Sequence, residues 1–166
     1  MKIIVDSREH WTHPNSTDTH ISDYFDRHGI DWEVRKLDVG DYAIEGKPNI
    51  VVDRKQSIQE CATNLMNRSD SSRFWRELRR AHEQGIKLVI LVESGRTVKS
   101  INDVPKWRSK YSQVTGRRLI DEMIRTEMAY SVRWCFCDRR STAKRIIEIL
   151  KEEVSKDEHR IQHGLP

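Results

Sequence analysis

The chain reads as one α/β domain, an α/β sandwich around a mixed β-sheet, and three observations predict this. Its 166 residues suffice for a single hydrophobic core. A β-rich first third containing a hairpin gives way, after residue 56, to alternating helical and strand periods. The stretch "KLVILVE" at 87–93 is a continuous apolar run of strand length, as expected of a strand covered on both faces. Strands and helices that alternate after an antiparallel opening pack as a mixed sheet flanked by helices.

Each element has its own signal. "KIIVD" at 2–6 is a β-branched run ending in an acid, a buried strand whose end reaches the surface. "STDTHISDYFDRHG" carries cap residues, apolar Ile21, Tyr24 and Phe25, and a terminating Gly29, which together predict a helix. "DWEVRKLDV" has the alternation of a half-buried strand. "GDYAI" and "IVVDRK" are the arms of a hairpin whose turn is expected at 46–49. Helical spacing of Ile58, Cys61, Ala62 and Leu65 follows, opened by the capping box "SIQE", in which Glu60 reaches back toward the cap. "RFWRELRRAHEQG" is a second helix in this half, with Phe74, Leu78 and Ala81 on one face and Arg73, Arg76 and Arg80 on another. Residues 94–112 carry no readable period. A helix in "TGRRLIDEMIRTEM", a strand in "SVRWCFC" and an amphipathic helix in "STAKRIIEILKEEV" complete a domain at 1–154, followed by a polar tail at 155–166.

Composition narrows the function classes. Charged residues make up 34% of the chain but the net charge is only +4, so a polyanionic partner is permitted and not demanded. The N-terminal apolar run is too short for a signal peptide and no run has the length of a membrane span, so an intracellular protein of the cytoplasm, nucleoid or nucleus is expected, with no membrane partner. Cys61, Cys135 and Cys137 form an odd set without zinc-knuckle spacing and are expected to be reduced core thiols. His10, His13 and His20 lack a fourth partner at ligand spacing and are assigned no metal.

The chemistry is concentrated in the hairpin. Asp41 opens one arm and Asp53 ends the other, so antiparallel pairing brings the two carboxylates to one edge. Lys55 lies two residues beyond Asp53 and therefore on the same face. Two carboxylates, water and one main-chain carbonyl, that of Arg54, make a hard-oxygen site for Mg²⁺ or Mn²⁺. Lys55 would then orient the attacking water and help to deprotonate it. The same spacing also fits a surface hairpin closed by a Lys–Asp ion pair.

The surrounding motifs bear on that choice. "IIVDSRE", "LDVGDYAI", "VVDRKQSIQECATNL", "SRFWRELRRA" and "LVILVESG" occur in the order found in the nuclease domain of the XPF excision-repair endonuclease family, which the chain resembles from residue 2 to about 93 and in general layout to about 154. The resemblance implies a restriction-endonuclease-like fold, a divalent metal, and cleavage of branched DNA (flap, fork or junction) beside single-strand/double-strand boundaries during repair or recombination. The stripe of Ile146, Ile147 and Leu150 is most simply core, but the resemblance also implies pairing of two chains through this part of the chain, and a homodimer through the face bearing Ile147 and Leu150 is expected. By position, the metal ligands would be Asp41 and Asp53, with Lys55 catalytic, Arg54 supporting, and Asp6, Arg8 and Glu9 lining the site.

Two residues depart from the family's E-R-K-x-x-x-D pattern. Asp53 replaces its Glu, and Gln59 stands where its last Asp would be, in the first turn beyond Lys55 and so expected at the site. A neutral amide there predicts weak cation binding, with Mn²⁺ the better of the two metals, and gives the alternative reading, a non-cleaving DNA-binding scaffold, its argument. The helix-hairpin-helix module of larger family members has no counterpart after Cys137. For DNA contact, Arg68, Arg73, Arg76 and Arg80 form either a ridge that tracks phosphates or a solvated helix face paired with Glu77 and Glu83. Lys106, Trp107, Arg108, Lys110 and Tyr111 interleave bases and aromatics, as either a base-stacking surface or a loop anchor.

Overall fold

The computed structural model describes residues 1–13, 15–16, 18–69 and 71–163. Six strands, β1 (Lys2–Asp6), β2 (Asp31–Arg35), β3 (Tyr42–Ile44), β4 (Lys47–Lys55), β5 (Lys87–Glu93) and β6 (Arg133–Cys137), form one sheet in the order β2-β1-β3-β4-β5-β6. β3 runs antiparallel to β1 and β4, and all other neighbours are parallel. The helices are α1 (His20–Arg27), α2 (Ile58–Met66), α3 (Arg73–Glu83), α4 (Gly116–Tyr130) and α5 (Thr142–Gln162).

Strand alternation divides the core in two. Val51, Leu88, Ile90 and Val92 point to the face covered by α2, α3 and α4, where they meet Leu65, Leu78 and Leu119. Ile50, Val52, Val89 and Leu91 point to the face covered by α1 and α5, where they meet Phe25, Ile146 and Leu150. Both faces of β5 are therefore apolar, which explains its unbroken hydrophobic run.

The mixed sheet and its helices agree with the fold class read from the sequence; four details differ. The hairpin turns at Glu45 and Gly46, Gly46 with φ +79°, and Lys47 already belongs to β4. Pro48 is accommodated because the register shifts between Ala43, opposite Val51, and Ile44, opposite Lys47, freeing that part of β4 from regular pairing. Residues 94–112, without period in the sequence, contain a 3₁₀ segment at Ile101–Lys106, opened by a capping box between Ser100 and Asp103. α5 continues to Gln162, so positions 155–162, read as tail, are helical; Lys47–Glu158 and Asn49–Asp157 contacts, both 3.3 Å, fasten this extension to the start of β4. Positions 164–166 of the tail lie outside the described residues. Finally, Ile147 and Leu150 are 7% and 0% exposed and pack beneath the sheet, because the apolar stripe of α5 is consumed by the core. They cannot form a self-association face.

The edge strand β2 is short and carries ion pairs along its exposed side chains: Lys2 with Glu33 at 2.7 Å, and Arg35 with Glu33 at 2.8 Å and Glu45 at 3.3 Å. On the opposite edge, Arg133 of β6 pairs with Glu152 and Glu153 of α5. All three cysteines are free, and burial pushes the Cys61 thiol up to about 12 and Cys137 up to about 11. No helix among the described residues is long and apolar enough to cross a membrane.

One glycine fixes the approach of β3 to β4. Gly40 has φ +65°, and a Cβ there would lie 2.2 Å from Val51 Cγ1 and 3.0 Å from the Val52 carbonyl oxygen. Gly40→Ala combines a left-handed backbone penalty with overpacking and is expected to cost ~3 kcal/mol. Denaturant unfolding of the two proteins checks this, and an unchanged midpoint would contradict the close approach.

Candidate active site

Register assembles the site. Tyr42 pairs with Val52, so Asp41 and Asp53, one residue further on each strand, face each other. Asp41 is fixed by its main chain and its side chain together: its N–H donates to the Val52 carbonyl at 2.9 Å, its carbonyl accepts from Asp6 N–H at 2.7 Å, and its Oδ2 accepts from Arg54 N–H at 2.7 Å. Asp53 and Lys55 follow Val51 on the α2/α3 face, as the two-residue period requires. Lys55 Nζ lies 2.6 Å from Asp53 Oδ2 and 5.2 Å from the centre of the Phe74 ring. That ion pair is the contact made by the buried Asp53 Oδ2. These groups open onto a cavity of about 200 Å³, whose lining includes Glu9, Asp41, Asp53, Lys55, Arg73 and Glu77.

The charges are crowded and dry. Burial and the nearby carboxylates of Asp53 and Glu9 push the Asp41 carboxyl well above its ordinary value, against the pull of Lys55 and the Arg54 N–H. For Lys55, burial works against the charge but Asp53 and Asp41 outweigh it, so the ammonium is held more firmly than usual. Among the described residues no group of three or more His, Cys, Asp and Glu side chains is arranged to hold a metal. A cation at this site would therefore depend on the facing pair Asp41 and Asp53, with a main-chain carbonyl and water.

Arg54 points the other way. Its guanidinium, 1% exposed, bridges Glu93 at 2.7 Å and Glu9 at 3.1 Å. Thr142 of α5 donates to the same Glu93 oxygen at 2.9 Å, Tyr42 donates to Glu9 at 2.5 Å, and Trp11 donates to Tyr42 at 2.8 Å. This network runs from Glu9 at the cavity wall to Thr142 on the α5 side and supports the site from beneath.

The remaining expected residues separate into two groups. Arg8, Glu9 and Arg73 line the cavity, together with His10. Asp6 does not: its carboxylate is fully buried and consumed by the Arg8 side chain and the N–H groups of Arg8 (2.8 Å) and Leu37 (2.6 Å), tying β1 to the segment before Gly40. The arginine bonds and these amides hold Asp6 below the usual carboxylate range despite its burial. Arg68 faces α4, paired with Glu122 and 5.2 Å from the Trp75 ring. Arg76 is exposed, and Arg80 donates to the Asp38 carbonyl at 2.6 Å. Of the histidines, His20 pairs with Asp18 and lies 4.0 Å from Glu93.

Gln59 was expected at the site and is not there. Its Oε1 accepts from Ser109 Oγ at 2.6 Å, on the far side of the first turn of α2. Ser57 Oγ accepts from Glu60 N–H at 3.0 Å and Glu60 Oε2 from Gln56 N–H at 2.7 Å, so it is Gln56 and Glu60 that turn toward the cavity. Glu77, solvated in one of the two readings of this helix, is 8% exposed, its Oε1 accepting from Gly40 N–H at 2.6 Å. Burial and the neighbouring Asp53 raise its carboxyl. Its spacing from Phe74, Leu78 and Ala81 was the available signal, since it falls on their face of the helix.

Comparison with known proteins gives a consistent picture. The family model for the ERCC4 domain matches residues 5–150. Among solved structures, XPF from Aeropyrum pernix in complex with DNA is similar at 22% identity and a TM-score of 0.64, covering 93% of this chain and 66% of that one. A second structure of XPF from Aeropyrum pernix has 21% identity and a TM-score of 0.64, covering 100% of this chain and 74% of that one. The chain thus spans just under two thirds of the first structure's length. No curated protein matches.

The crowding at Asp41 has a pH signature. Its folded carboxyl titrates above its ordinary value of 3.8, so above that pH the folded state holds a proton that the unfolded chain has released, and stability falls as pH rises. In chelator, Asp41→Asn is therefore expected to be more stable than the parent at pH 7 to 8, with the difference shrinking toward pH 4. Denaturant midpoints across that range check it; a difference that grows toward low pH would contradict it.

Proposed function

The chain belongs to the ERCC4-domain family, and on that premise we propose that it is a Mg²⁺- or Mn²⁺-dependent endonuclease that hydrolyses phosphodiester bonds in branched DNA beside single-strand/double-strand boundaries. The observation that carries this reading is the pair Asp41 and Asp53 set face to face by strand register, with the Lys55 ammonium 2.6 Å from Asp53.

The donor set fits a hard divalent cation: two carboxylates, the Arg54 carbonyl, and space for water and a phosphate oxygen. When bound, such a cation supplies Lewis-acid charge to the scissile phosphate and neutralises the crowding that raises Asp41. The chain's own residues do the rest. Lys55 orients the attacking water and stabilises the charge that develops on the phosphate oxygens. Phe74 and Glu77 wall the cavity beside it, restricting the water that can enter. Arg8 and Arg73 at the lining offer donors to the flanking phosphates, which position the backbone without reading sequence.

The scaffold alternative drew its argument from Gln59, and with that side chain directed at Ser109 nothing in the cavity favours it. Pairing of two chains remains part of the proposal, through a surface other than Ile147 and Leu150. DNA repair or recombination, in the compartment that holds the DNA, is the setting such a substrate implies.

The test is incubation of the protein with end-labelled flap, fork, four-way junction and blunt duplex DNA in Mg²⁺, Mn²⁺ or chelator. Cleavage is expected on the branched substrates with either metal and not in chelator. Asp53→Asn and Lys55→Ala are each expected to lower the rate by about a hundredfold or more while the fold and DNA binding persist. Full activity in Asp53→Asn would refute the site.

A further inference from the structure

We propose that a second cavity, between the first turn of α2 and the 107–111 loop, receives the unpaired strand of the branched substrate, with a base stacked on Tyr111; this rests on the nuclease reading above. The cavity, about 430 Å³, is lined by Ser57, Gln59, Trp107, Arg108, Lys110 and Tyr111 among others. Tyr111 is 83% exposed. A single exposed aromatic ring is ordinary on a protein surface, and three further observations set this one apart.

The ring is displayed on a loop that is already ordered. Ser109 Oγ accepts from the N–H groups of Tyr111 at 3.1 Å and Ser112 at 3.0 Å, and donates to Gln59 Oε1 at 2.6 Å. The ends of the loop are closed by the Ser109 N–H to the Val114 carbonyl, 3.3 Å, and the Gly116 N–H to the Trp107 carbonyl, 2.9 Å. A loop ordered before its ligand arrives spares the entropy of ordering it on binding. Gln59, standing where the family pattern has an acid, is thus the tether of this loop.

The charge suits a phosphate backbone. Arg108 and Lys110 belong to the lining; Glu93 does too, but its charge is matched by the buried Arg54 guanidinium, which with Thr142 holds its Oε1. Arg108 spends one nitrogen, Nη1, on the carbonyls of Pro105 and Trp107 and keeps its other donors. Cations beside a bare aromatic face are the arrangement that holds single strands, since every unpaired base presents a π-face and a duplex does not.

The position suits a branch point. Gln56 and Glu60 line the active cavity, while Ser57, Ile58 and Gln59, the residues between them, line this one. One helical turn separates the two cavities, so a strand peeled from the duplex at the cut has a path over the start of α2 to Tyr111.

The experiment is fluorescence anisotropy in chelator with two DNAs, a fork bearing single-stranded thymidine arms and the same duplex without arms. Tyr111→Ala is expected to weaken fork binding by about fivefold or more and leave the duplex unchanged, with Tyr111→Phe restoring the parent value. Gln59→Ala, which frees the loop, is expected to show a smaller loss with the same selectivity. Parent-like fork binding by Tyr111→Ala, or equal losses on both DNAs, would overturn the assignment while leaving the nuclease reading intact. A parent protein that binds neither DNA in chelator and cleaves no branched substrate with Mg²⁺ or Mn²⁺ would overturn both.

Discussion

Arg54 is the residue on which the rest of the structure depends, because it acts on both faces of the sheet at once. Its N–H holds Asp41 in place on the cavity side, while its guanidinium, almost wholly buried, neutralises Glu9 at the cavity wall and Glu93 beneath it. A buried guanidinium is tolerable only with its partners, and each partner only with it. Burial works against its charge, but Glu93, Tyr42 and Glu9 more than compensate and hold Arg54 above its ordinary range. The segment after β1, the strands β4 and β5, and the start of α5 through Thr142 are consequently locked to one another directly beneath the place where chemistry is proposed. The acids above can be crowded because the charges below are settled.

The same reasoning separates what the sequence made legible from what it did not. Strand and helix periods are local, and Val51, Ile90 and Leu65 fell where the periods placed them. The facing of Asp41 and Asp53, and the pairing of Lys55 with Asp53, were legible because register and two-residue alternation are geometric consequences of a hairpin. The direction of Gln59 was not. Positions 59 and 60 are neighbours on a helix, and which of them faces the cavity depends on the angle at which α2 leaves β4, a tertiary quantity. Glu77 was missed because a charged residue was assumed to seek solvent, although its place on the apolar face argued otherwise. The Glu9–Arg54–Glu93 cluster joins residues far apart in sequence and has no local signature.

The stripe of Ile147 and Leu150 teaches a related point. An amphipathic stripe states that a face must be covered and not what covers it. In this fold the sheet does so, and the polar end of the helix continues to Gln162 beside the start of β4, held there by the Lys47–Glu158 and Asn49–Asp157 contacts. The stripe ends where the sheet ends.

The open sheet has a last consequence, for the protein in a crowded solution. A six-stranded sheet that does not close leaves two rows of unpaired main-chain groups, each a template on which another chain can add a strand. The β2 edge is only five residues long and is bordered by the linked charges of Lys2, Glu33, Arg35 and Glu45, so a second strand laid along it would have to disturb those pairs. At β6 the Arg133 pairs with Glu152 and Glu153 serve the same end. Ion pairs that contribute little to folding stability thereby discourage aggregation.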